Sequence, residues 1–93
     1  MIKFTLYARL YCHLCDDMLQ ALESLRGLAS FEVVVLDVDS DALLLEQYDE
    51  LVPVLVGCRD DATALQLCHY HLDSEKVTAF LLAQSNPAYS ATL

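Results

Sequence analysis

The chain has 93 residues, enough for one compact domain around one core and too few for two domains of ordinary size. Fourteen acidic residues against five basic ones leave a formal charge of −9, which argues against a nucleic-acid or anionic-membrane partner, since both are gripped through Lys and Arg. A hydrophobic content of 56% with two Gly and two Pro excludes a disordered chain, and no apolar run approaches the ~20 residues needed to cross a bilayer.

The first segment, Ile2 to Tyr7, alternates apolar and polar positions and predicts a strand, followed by a loop over Ala8 to Tyr11. From His13 to Arg26 the apolar residues Leu14, Met18, Leu22 and Leu25 keep helical spacing, with Leu19 and Ala21 beside them. Asp16, Asp17, Gln20, Glu23 and Ser24 fill the opposite face, and Gly27 supplies a stop. Phe31 to Val38 is almost continuously apolar, the pattern of a strand buried on both faces. Asp39 or Ser40 then offers an N-cap for a short helix over about Asp41 to Tyr48.

Pro53 has no N–H to give a ladder, so the apolar run Leu51 to Gly57 predicts a third strand that begins at the proline. The polar stretch Arg59 to Ala62 reads as a turn, and Thr63 to Leu72 as a fourth strand forming a hairpin with the third. A last helix opens at Asp73 or Ser74 and sets Val77, Phe80 and Leu81 on one face. The order β-α-β-α-β-β-α describes an α/β domain over residues 1–84, with a loosely held tail over 85–93. Its two crossovers predict a parallel core, and the hairpin adds an antiparallel edge, giving a four-stranded mixed sheet with helices on its faces.

Cys12 and Cys15 stand at the junction of the first strand and helix. A helix N-terminus stabilises a thiolate, so Cys12 is expected to have a lowered pKa and to attack, with Cys15 one turn on as the resolving thiol. The N-terminus lacks the apolar stretch and cleavage site of an export signal, so a soluble, cytoplasmic protein is expected. In that reducing setting, catalytic or metal roles gain weight over structural bridges.

Cys-His-Leu-Cys after a first strand, Leu-Val-Pro before a third, and this element order together resemble a glutaredoxin-like protein of the thioredoxin superfamily. The resemblance spans about residues 1–84. It implies a thiol–disulfide oxidoreductase serving cell redox homeostasis, with Cys12 and Cys15 catalytic and Pro53 as a cis-proline facing them. It also implies that Val52 offers its backbone to substrate, with Leu51, His13 and Leu14 beside it. Arg9 matches a basic residue that glutaredoxins set near the thiolate and the glutathione carboxylate. Where the family has a Pro-Tyr spacer this chain has His13-Leu14, and no Gly-Gly turn precedes the last helix, so Asp73 alone remains as a counterpart of the residues that hold glutathione. No tightly bound cofactor is expected, glutathione being the candidate ligand, and the expected partners are protein or small-molecule disulfides met by a monomer. Asp16 and Asp17 oppose the thiolate and a protonated His13 favours it, so the Cys12 pKa should fall less than in the most reactive members.

Two other readings compete. A zinc or iron–sulfur site would need Cys58, Cys68, His69 or His71 to complete Cys12 and Cys15, yet adjacent strand residues such as Cys68 and His69 face opposite ways. A binding module would use Leu51, Val52 and Pro53 to hold an extended peptide while the cysteines stay idle. Cys58 and Cys68 read as small buried hydrophobes, and Tyr7, Tyr11, Tyr48 and Tyr70 as core or rim residues.

Overall fold

The computed structural model describes residues 1–59 and 63–84, so the tip of the Arg59–Ala62 turn and the tail lie outside the described residues. The elements are β1 (Ile2–Ala8), α1 (His13–Glu23), β2 (Phe31–Asp37), α2 (Ala42–Tyr48), β3 (Val54–Arg59), β4 (Leu65–His69) and α3 (Ser74–Gln84). They form one four-stranded mixed sheet in the order β2-β1-β3-β4.

Only β1 and β2 are parallel; β3 runs antiparallel to β1, and β4 antiparallel to β3. The expected parallel core is therefore reduced to one pair. Helix α2, whose seven residues rise ~10 Å against the ~23 Å spanned by the seven of β2, does not by itself return the chain along the sheet, and β3 starts at the end where β2 stops.

Strand alternation divides the core in two. Ile2, Phe4, Leu6 and Ala8 of β1 turn to one face, where they pack with Cys15, Met18 and Leu22 of α1 and Val77, Phe80 and Leu81 of α3. On the other face Val54 packs with Val38 and Tyr48, and Tyr7 stacks on Tyr48 with ring centroids 4.4 Å apart. Burial and the neighbouring Tyr7 raise the Tyr48 pKa.

Other local readings are corrected. β2 is an edge strand and not one buried on both faces: Phe31 is covered, but Val35 is 50% and Leu36 38% exposed. Helix α1 stops at Glu23, three residues before Arg26. Beyond it Leu25 N–H donates to Leu22 O, and Arg26 N–H to Glu23 O, tightening the chain into 3₁₀-type turns. Gly27 adopts no positive φ, so it is not a left-handed stop. The turn is held instead by Arg26, which donates to Phe31 O at 2.6 Å and lies over the Phe31 ring. Asp41 caps α2 in place of Asp39 or Ser40, its carboxylate accepting Leu43 N–H at 2.8 Å. The fourth strand is the shorter Leu65–His69, because Tyr70 takes a left-handed φ of 64° and ends it.

Candidate redox site

Topology gathers the site at one end of the sheet. β1 ends there, β3 begins there directly after Pro53, and β4 ends there before α3, because β3 is antiparallel to both neighbours. Tyr7 pairs with Val54 and Val54 with His69, which fixes the loop before Cys12, the Pro53 loop and the start of α3 on one rim.

Cys12 is the N-cap of α1, with extended backbone, and its Sγ accepts the Cys15 N–H at 3.1 Å. A sulfur thus takes the place of the usual Ser or Asp oxygen, and satisfies one of the donors that a helix start leaves open. Cys15 is buried at 4% exposure under the start of the helix, while Cys12 is half-buried. The two sulfurs are paired as a disulfide with Cα atoms 5.2 Å apart. Access is therefore unequal, and an incoming sulfur meets Cys12 first.

The loop ahead of Cys12 bends at Tyr11, whose φ of 58° is left-handed. For a tyrosine this conformation costs roughly 1–3 kcal/mol, and it turns the chain sharply from β1 into the cap. Tyr11 is fully exposed and Leu10 70% exposed, so of the two places expected from sequence Tyr11 takes no part in the core. Arg9 donates through Nε and Nη2 to Asp39 at 3.0 and 3.2 Å, and through Nη2 to Asp49 at 2.5 Å. These hydrogen bonds, that to Asp49 first, push its already high pKa upward. The clamp joins the Cys12 loop to the C-terminal end of α2, close before Pro53. Asp39 and Asp49 escaped the sequence reading because they lie 30 and 40 residues from Arg9.

The Val52–Pro53 bond is cis, and Pro53 is buried. Its carbonyl accepts Tyr70 N–H at 2.9 Å, and the Tyr70 hydroxyl donates to Glu50 O at 2.6 Å, so a tyrosine missed as a site element braces this loop. Leu51 and Val52 are half-buried against the Tyr48 cluster. His13 and Leu14 occupy the exposed first positions of α1. Asp73 caps α3, its Oδ1 accepting Lys76 N–H at 3.1 Å.

A family model described as a glutaredoxin-like domain (DUF836) matches residues 3–82. The chain belongs to this glutaredoxin-like family. Protein Ne2328 from Nitrosomonas europaea, solved by NMR, is 38% identical with a TM-score of 0.74, the match covering 86% of this chain and 91% of that one. Target protein XcR50 from X. campestris is 37% identical with a TM-score of 0.58, covering 86% and 96%. Chloroplastic thioredoxin z, at 20% identity and a TM-score of 0.68 over 87% and 75%, shares the fold. No curated protein matches. The architecture is thus the thioredoxin-like one, a glutaredoxin-like domain carrying a Cys12–Cys15 pair.

Cys58 and Cys68 are half-buried in β3 and β4, less covered than the buried hydrophobes expected. Burial pushes the Cys68 thiol pKa up, partly countered by a hydrogen bond from the Asp73 backbone. Among the described residues no group of three or more His, Cys, Asp or Glu is placed to hold a metal ion. No helix among them is long and apolar enough to cross a membrane.

Proposed function

We propose that this glutaredoxin-like domain is a thiol–disulfide oxidoreductase in which Cys12 attacks and Cys15 resolves. The observation that carries the reading is the unequal pair: a half-buried sulfur at the N-cap of α1, accepting an N–H at 3.1 Å, above a buried partner. A helix N-terminus favours the thiolate, and burial shields Cys15 until the first step is complete.

In the reducing direction the Cys12 thiolate attacks one sulfur of a substrate disulfide, forming a mixed disulfide and expelling the other sulfur as a thiolate. Cys15, on losing its proton, attacks Cys12 and releases the second substrate thiolate. Two electrons pass from the dithiol to the substrate, and the Cys12–Cys15 disulfide is left for an external thiol or dithiol to reduce. Leu51, Val52 and the cis Pro53 shape the substrate groove with His13 and Leu14, in a monomer acting in the cytoplasm without a tightly bound cofactor.

The test is the redox couple and its two serine variants. In defined thiol–disulfide buffers, alkylation and mass measurement should give a reversible two-electron couple in the range of roughly −120 to −270 mV. Cys15→Ser should accumulate a mixed disulfide on Cys12, and Cys12→Ser should accumulate none. A pair that never cycles, or retained turnover in Cys12→Ser, would refute the reading.

A further inference from the structure

A cavity of about 240 Å³ opens beside Cys15, between α1 and the edge strand β2. Leu10, Leu19 and Val35 make its lining apolar, and Asp16 and Asp37 make it acidic. Arg9 lines it too, but its guanidinium is held by Asp39 and Asp49, so two carboxylates offset its charge. Leu10, Tyr11 and Val35 stand at least half exposed around it. An apolar lining with carboxylates complements a long side chain whose stem is apolar and whose head is cationic, and not an anion such as glutathione.

We propose that this cavity receives a lysine or arginine side chain next to the disulfide of a peptide or protein substrate, so that the Cys12–Cys15 pair reacts fastest with disulfides in basic sequence. The inference rests on the oxidoreductase reading and names its substrate class. The electron flow is unchanged: two electrons pass from the dithiol to the substrate disulfide, which leaves as two thiols. Asp16 and Asp37 hold the flanking cation while Cys12 attacks.

The experiment uses the full chain, reduced, with disulfide-linked dimers of capped pentapeptides Ala-Xaa-Cys-Xaa-Ala in which Xaa is Lys, Leu or Glu. Each oxidation rate is divided by the rate at which dithiothreitol, which like Cys12 attacks as a thiolate, reduces the same peptide; this removes the difference in leaving-group acidity and the direct attraction between a thiolate and a cationic peptide, leaving the contribution of the cavity. At low salt the Lys peptide should exceed the Glu peptide by about tenfold, the size expected of a few solvent-screened charge pairs. In 0.5 M salt the gap should narrow to about twofold. Asp16→Asn should shrink the ratio, and Val35→Lys, which places a cation at the rim, should shrink it further. Equal normalised rates, or a ratio that neither variant changes, would overturn the proposal while leaving the oxidoreductase reading intact. Failure of all three peptides, the Lys peptide included, to oxidise the pair would overturn both.

Discussion

Replacing Gly57 by alanine tests the packing that seats α3 on the sheet. Gly57 sits inside β3 opposite Phe4, with no positive φ, so nothing in the backbone requires glycine. On conformational entropy alone alanine would stabilise the strand by roughly 0.5–1 kcal/mol. Its Cβ would, however, lie 2.9 Å from Leu67 Cδ1 and 2.9 Å from both Cε2 and Cζ of Phe80. Carbon pairs are at rest near ~3.5–4.0 Å, so three contacts must open at once. Phe80 has little room to yield: its ring packs on Phe4 at 5.8 Å and lies under the Arg59 guanidinium at 4.7 Å. Overpacking of this kind costs ~1–3 kcal/mol, and three contacts at 2.9 Å against a ring held on two sides place this site at about 2–3 kcal/mol, leaving a net loss of about 1–2.5 kcal/mol after the entropic gain. For a domain this small each kcal/mol moves Tm by ~4–8 °C, so a fall of about 4–20 °C is expected. Thermal and urea denaturation of the oxidised protein measure it, with the urea slope unchanged. A variant as stable as the parent would show that Phe80 and Leu67 relax freely and that the reasoning is wrong.

Asp73→Ala removes the carboxylate that caps α3 and should cost ~1 kcal/mol in urea denaturation, whereas Asp73→Asn keeps a cap and should cost less. Equal losses would assign Asp73 something other than capping. Stability should also fall on the alkaline side. Cys68 and Tyr48 both have pKa values raised above their ordinary 9.0 and 10.0, so above about pH 9 the folded state holds protons that the unfolded state has released. The urea midpoint should therefore be level up to about pH 9 and decline beyond it, with Cys68→Ala delaying the onset. A midpoint that rises over this range would contradict the sign.

Elements written in local patterns were legible in the sequence, and those set by distant neighbours were not. The alternation of Ile2–Tyr7 and the spacing of Met18 and Leu22 identify β1 and α1, because each face needs only its own residues to be recognised. β2 misled because Val33, Val34 and Val35 have the composition of a central strand. Which strands flank β2 is set by its pairing with β1 and by where β3 enters the sheet, and neither is written in the residues of β2 itself. Gly57 is the same case: its lack of a side chain is explained by Phe80, 23 residues later, pressing on the strand from α3.

The site divides along the same line. Cys12 and Cys15 declare themselves because capping is chemistry within one turn, and a sulfur at an N-cap has consequences that need no distant partner. Arg9 is different, since its offset from Cys12 makes it look like a cation on offer to a ligand, while its hydrogen bonds go to Asp39 and Asp49. A guanidinium held by two carboxylates adds no net positive charge to its surroundings, and Asp16 and Asp17 remain on the exposed first turns of α1. The rim around Cys12 is then acidic in sum. For the proposed oxidoreductase an acidic rim would repel anionic disulfides and draw cationic ones at the same sulfur, so the pairing of Arg9, more than the cysteine motif, would set which substrates the pair meets.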